Sequence, residues 1–237
     1  MIYITGDMHG DVEQMRQVMG KIVTKPENIL IVLGDFGGNY YLNKKDNYFK
    51  SAVNEYGIKV FVIRGNHDAN PANVKNISLV QEYWGFGYKE EKFSNIFYAK
   101  NFQNYIIENN YFLVLGGAYS VDKWYRLANG KIWFADEQMT EEEQDDFIKN
   151  YDFPKIENIL SHTCPYPNIP RHLFLSQIDQ STVDNRTELF LSKVKSKFQY
   201  KNWFFGHYHA NEQIEDNMYM LYDGVIHYKP VGKLKIY

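Results

Sequence analysis

Apolar residues fall in short uninterrupted runs along the first third of the chain: Met1 to Thr5, Ile29 to Leu33 and Val60 to Ile63. Runs without polar alternation are typical of strands covered on both faces. After the first run, Asp11 suits a helix N-cap, and Val12, Met15, Val18 and Met19 form one apolar stripe reaching about Ile22. A polar, helix-compatible stretch from Lys44 to Glu55 separates the second and third runs. The β-α-β-α-β order predicts parallel strands with right-handed crossovers.

The pattern shortens further on. Asn95 to Tyr98, Tyr105 to Glu108 and Tyr111 to Leu115 read as strands, the last two joined by a turn at Asn109-Asn110, because Asn tolerates positive φ. Thr140 to Asn150 reads as a helix with Thr140 and Glu143 in capping-box spacing. Its acidic residues (Glu141, Glu142, Glu143, Asp145, Asp146) suit a helix N-terminus through the dipole, without a cation. Ile156 to Leu160 and Trp203 to Phe205 are strands on either side of a helix from Asp184 to Phe198. Met218 to Tyr222, Val225 to Tyr228 and Lys233 to Tyr237 complete a β tail. No repeat or linker interrupts this order, so one α/β domain is expected over 1–237.

Composition narrows the partners. A length of 237 residues is enough for one sizeable core. With 20 Tyr and 16 Phe, amphipathic rings are expected along the surface clefts. The net charge of -3 provides no basic field, so extended duplex nucleic acid is not an expected partner. The single cysteine, Cys164, forms no intrachain disulfide and implies a reducing compartment or indifference to redox. The N-terminus starts on Ile2-Tyr3-Ile4 without a signal-peptide pattern, and no apolar run approaches the ~18 residues of a membrane span. A cytoplasmic protein without a membrane partner is expected; nothing in the sequence bears on oligomeric state.

The candidate chemistry lies where the apolar runs end. Asp7-Met8-His9, Gly34-Asp35, Asn66-His67-Asp68, Ser161-His162 and His207-Tyr208-His209 each follow such a run. In an extended segment Asp7 and His9, two apart, point to one side. Asp35 beside Asp7 is a costly pair of like charges that a cation relieves, and its two oxygens allow it to bridge two ions. Asn66 offers a neutral hard ligand, and His67 faces the substrate as a proton donor oriented by Asp68. His172 and His227 fit no such pattern and read as surface or sheet histidines. The donor set is therefore Asp7, His9, Asp35, Asn66, His162, His207 and His209. Oxygen and imidazole donors without thiolate suit two ions of Mn, Fe, Zn or Ni. Such ions polarise phosphoryl oxygens and acidify a bridging water, and His67 would protonate the leaving alkoxide.

In these residues the chain resembles the calcineurin-like metallophosphoesterases. The five ordered blocks of that family look like Gly6 to Gly10, Gly34-Asp35, Gly65 to Asp68, Ser161-His162 and Gly206 to His209. The resemblance implies a four-layer α/β/β/α sandwich of two mixed β-sheets flanked by helices, with metals at the C-terminal strand ends. It implies that Asp7, His9 and His209 hold one metal, that Asn66, His162 and His207 hold the other, and that Asp35 bridges. His67, paired with Asp68, matches the family's proton donor. The chain departs from the protein phosphatase branch, which continues its second block into Asp-Arg-Gly with a phosphate-binding arginine. Here the text is Gly34-Asp35-Phe36-Gly37-Gly38, so that arginine is absent.

The substrate is then left to loops around the metal edge. Gly116 to Ser120 permits close approach, and Lys123 and Arg126 could supply cations for phosphate, but the stretch reads first as a surface turn with Trp124 anchored on the core. Arg171 is a weaker candidate, and Tyr208 lines the pocket by its position between two proposed ligands. The expectation is a phosphoesterase acting on a phosphorylated small molecule or nucleotide, as a mono- or diester. A nuclease or protein phosphatase with the same metal core is the alternative, and a non-catalytic metal-binding module comes last.

Overall fold

The computed structural model describes residues 1–82, 84–153, 155–174 and 180–237. The three early apolar runs form β1 (Ile2–Thr5), β2 (Ile29–Val32) and β3 (Lys59–Val62), paired in parallel with Ile4 opposite Ile31 and Ile31 opposite Phe61. Their crossovers are helices α1 (Val12–Gly20) and α2 (Lys44–Asn54). The Asp11 carboxylate accepts from the amides of Glu13 and Gln14, a cap worth about 1 kcal/mol. β4 (Ile77–Glu82), β5 (Gly85–Glu90) and β6 (Ile96–Ala99) follow, then β7 (Gln103–Ile107) and β8 (Asn110–Leu115). The second half contributes α3 (Lys123–Ala128), α4 (Glu141–Asn150), β9 (Asn158–Ser161), α5 (Arg186–Lys197) and β10 (Asn202–Phe205). β11 (Glu212–Glu215), β12 (Met218–Met220) and β13 (Val225–His227) close the chain.

Among the described residues the strands form two sheets, ordered β13-β1-β2-β3-β6-β5-β4 and β11-β12-β10-β9-β8-β7. Each has a parallel centre and antiparallel edges. Ile4, Ile31, Phe61 and Phe97 of the first sheet pack against Tyr105, Phe112, Leu160 and Phe204 of the second. Outside that core, α1 and α2 cover the first sheet through Met15, Val18, Phe49 and Val53. α4 and α5 cover the second through Phe147, Phe190, Leu191 and Val194. The α/β/β/α sandwich expected above is thus observed. None of the described helices is long and apolar enough to cross a membrane.

Several elements differ from expectation. The β4–β5 hairpin has no clear sequence signal, because it is an edge pair with exposed Leu79 and Phe86 and no regular burial alternation. The turn between β7 and β8 lies at Glu108-Asn109, both at positive φ, one residue before the Asn pair. The pairing of Ile107 with Asn110 dictates that register. The tail expected as a strand over 233–237 makes a single bridge, Ile226 to Ile236. α3 leaves no apolar stripe in the sequence because it buries none of its residues, and Trp124 is exposed, which removes the core-anchor reading.

Candidate metal centre

The strands that run in parallel in the two sheets end at one edge, where the five motifs meet. The amide of His207, after β10, donates to both oxygens of Asp7, after β1, at 3.0 and 3.2 Å. Close approach depends on the glycines of the motifs, Gly206 against Asp7 among them. A Cβ on Gly34 would lie 2.2 Å from His162 Nδ1, and one on Gly65 would lie 2.0 Å from Asp35 Oδ1. His9, Asp35, His207 and His209 all have φ between 44° and 71°, a left-handed region that non-glycine residues rarely adopt. Such strain persists where surrounding contacts impose it. It also corrects the extended geometry expected for Asp7 and His9: the chain turns at His9, and the two side chains converge through that turn.

All seven sequence-derived donors lie in one cluster. His209 Nε2 is 3.3 Å from Asp7 Oδ2 and 2.9 Å from His9 Nε2, which is itself 3.8 Å from Asp7 Oδ2. At the other end His162 Nε2 is 2.8 Å from Asn66 Oδ1 and 3.5 Å from Asp35 Oδ1, with the His207 ring 5.0 Å from that of His162. His67 also approaches, its Nδ1 3.5 Å from Asp35 Oδ2.

The electrostatics call for a cation. Burial, and then the charges of Asp7 and Asp68, push the Asp35 carboxyl well above the usual range. Burial pushes Asp7 in the same direction, but the His209 hydrogen bond, then the facing His162 and His9 rings and the His207 amide, outweigh it and bring Asp7 down to about 2. Burial lowers both His9 and His207. The arrangement at His162 is the clearest test of fit. Its Nδ1 is 2.8 Å from the Leu33 carbonyl, which can only accept, so Nδ1 carries the proton. In the neutral ring, the form that binds a metal, Nε2 turns its lone pair toward Asn66 Oδ1. Two acceptors face one another, as two ligands of one cation do. The donor set fits divalent transition-metal ions.

Further residues hold these donors in place. Asn66 Nδ2 donates to Ser120 Oγ at 2.9 Å, and Ser120 donates from its amide and its hydroxyl to the two oxygens of Glu137 at 3.0 and 2.6 Å. Glu137 and Ser120 are buried, and this chain fixes Asn66 with its oxygen toward His162. The Gly116-to-Ser120 loop stands out in the sequence, but nothing local marks Glu137.

Asp68 requires a correction. Its carboxylate accepts from the amides of Phe36, Gly37 and Gly65 at 3.2, 3.1 and 3.0 Å and makes no ion pair with His67. It organises the backbone around Asp35; the His67 imidazole faces Asp35 itself.

Arg126 donates to Asp122 at 2.7 Å and to the Tyr40 hydroxyl at 2.6 Å, and the Tyr40 ring lies 5.9 Å from that of His67. Burial, and then the Arg126 charge, lower His67 to about 3. Lys123 lies instead over the rings of Trp133 and Trp124, at 4.4 and 5.0 Å. Tyr208 turns its hydroxyl to Thr163 at 2.8 Å. His172 and His227 stay outside the cluster, against Glu212 and the Lys21 carbonyl.

A family model of calcineurin-like phosphoesterases matches residues 1–211. The chain belongs to that family. Membership makes it a metal-dependent phosphoesterase in class, and the aspartate and histidine groups at the sheet edge are compatible with a metal site. No curated protein matches the chain. A protein of known crystal structure superposes with a TM-score of 0.57 at 14% identity, over 100% of this chain and 97% of its own. At that identity the likeness speaks for the fold alone.

Proposed function

We propose that this phosphoesterase uses two metal ions to hydrolyse small phosphate mono- or diesters. Asp7, His9 and His209 would hold one ion and Asn66, His162 and His207 the other, with Asp35 shared. The observation that carries this reading is the splay of Asp35. Its Oδ1 lies 3.5 Å from His162 Nε2 and its Oδ2 3.9 Å from His9 Nδ1, so the carboxylate faces both ends of the cluster. Mn, Fe, Zn or Ni suits the donor mixture. When bound, such ions polarise phosphoryl oxygens and acidify water.

The chain's own groups provide the remaining chemistry. Arg126, braced by Tyr40, adds positive charge on the His67 side, where the ester's anionic oxygens would rest. Burial and that charge keep His67 neutral near pH 7; the ester's negative charge favours the protonated imidazole. The proton would therefore arrive as substrate binds, and His67 would pass it to the leaving oxygen, worth roughly 10²–10⁴ in rate. Phe36, in the motif position next to Asp35, is wholly buried against Phe49 and Tyr98, which supports a small ester over a phosphoprotein.

The metal-loaded protein is expected to hydrolyse p-nitrophenyl phosphate or bis-p-nitrophenyl phosphate. No turnover of either with Mn, Fe, Zn, Ni or Co, despite two bound ions, refutes the proposal. His67→Ala should keep both ions and slow esters of poor leaving groups by roughly 10²-fold or more.

A further inference from the structure

A cavity of about 470 Å³ adjoins the donor cluster, with His207 in its wall. A smaller one of about 260 Å³ shares Phe174, His207 and Tyr208 and reaches His209. The larger cavity is lined by the rings of Tyr119, Tyr166, Phe174 and Tyr208, with Arg171 and Glu188 among them. Phe174 and Tyr208 are stacked, 6.1 Å apart and 25° from parallel.

Among the described residues the wall also carries Gln180 and Asn185, and its two charged groups other than His207 are Glu188 and Arg171. Glu188 is 4% exposed, and its Oε1 accepts the Thr163 hydroxyl at 2.9 Å. Its Oε2 is buried and has no hydrogen-bond partner. A buried polar oxygen left in that state is costly, so a hydrogen-bond partner is needed. Arg171 lies over the Tyr166 ring at 4.8 Å and makes one bond, to the Tyr166 carbonyl, leaving further N–H groups on its guanidinium.

We propose that this cavity receives the organic part of the phosphoester, and that this part is a planar heterocycle with N–H donors, which makes the substrate a nucleotide or a close analogue. The assignment rests on the phosphoesterase reading above. Aromatic faces stack on any nucleobase, and Glu188, ionised above about pH 7, then accepts from a base that presents an N–H. A quaternary ammonium would suit the rings but would give Glu188 no hydrogen and would meet the Arg171 charge. The volume suits one nucleoside and excludes a duplex.

Unphosphorylated nucleosides test the cavity apart from the chemistry. Calorimetric titration of the full chain with guanosine, adenosine, cytidine and uridine should show one or more binding, with phosphocholine and glycerol 3-phosphate as controls. Glu188→Gln should weaken the preferred nucleoside by ~10-fold or more or change the order of preference. If that variant fails to fold, Phe174→Ala at the partly exposed wall should weaken all nucleosides together. Hydrolysis of bis-p-nitrophenyl phosphate without nucleoside binding at ~10 mM overturns the cavity proposal and leaves the hydrolase reading standing. Nucleoside binding without turnover of either nitrophenyl ester does the reverse. Stronger binding of phosphocholine or glycerol 3-phosphate than of any nucleoside also overturns it.

Discussion

At one end of the donor cluster His162 is wholly buried, its Nδ1 held by the Leu33 carbonyl, and Asn66 is fixed through Ser120 to Glu137. At the other, the side chains of His9 and His209 are 28% and 51% exposed. They meet each other, Asp7 and, for His209, the face of Tyr222 at 4.9 Å. One end is organised before any ligand arrives; the other is open to water and free to adjust. Outer hydrogen bonds that orient ligands commonly govern metal affinity by 10–100-fold. An ion at the buried end should therefore bind tightly and exchange slowly, whereas one at the open end should exchange readily.

The largest expected effect removes the comparison altogether. Asp35→Asn should abolish binding at both ends, read as bound metal per chain by elemental analysis. If one ion remains, Asp35 is not shared. Next in size, Glu137→Gln or Ser120→Ala frees the Asn66 amide and should weaken only the slowly exchanging ion, by ~10–100-fold in chelator competition. Equal weakening of both ions would mean that the Glu137 chain supports the fold and not one end of the site. A smaller effect is expected for Asp68→Asn. One amide oxygen cannot replace two carboxylate oxygens that take three backbone N–H groups, so stability should fall by about 1–3 kcal/mol. That is a melting temperature lower by several degrees in a chain of this size. An unchanged melting temperature would show that those three contacts add nothing.

The same contrast explains what can be read from sequence. The donors follow apolar strands that are buried on both faces, so the strand ends and the residues just after them stand out as pattern. Asp11 and Thr140 announce their helices because N-capping is a local bond. Asp68 reads from sequence as the partner of the His67 imidazole because its real partners come largely from 36–37, a contact made only by folding. Glu137 is still less visible, since it acts on Asn66 through Ser120, at a sequence distance no local pattern spans. The β4–β5 hairpin lies on a sheet edge, and burial gives it no alternation to read.

The buried end extends beyond the donors themselves. Glu188 joins it through Thr163, the residue after His162, and burial pushes its carboxyl from the ordinary 4.5 up to about 7. The folded chain therefore binds more protons than the unfolded chain between those values. Stability from the neutral carboxyl is complete below about 4.5 and is lost as pH rises to about 7. The loss is bounded by roughly 3 kcal/mol, since each tenfold change in proton affinity is worth about 1.4 kcal/mol. Urea unfolding at about pH 5 and about pH 8 should show this loss in the natural chain, with Glu188→Gln, which cannot ionise, losing correspondingly less. Identical pH dependence in the two proteins would mean that Glu188 is already ionised and paired in the fold. Its Oε2 would then need no donor from a ligand, and the buried end would stop at Thr163.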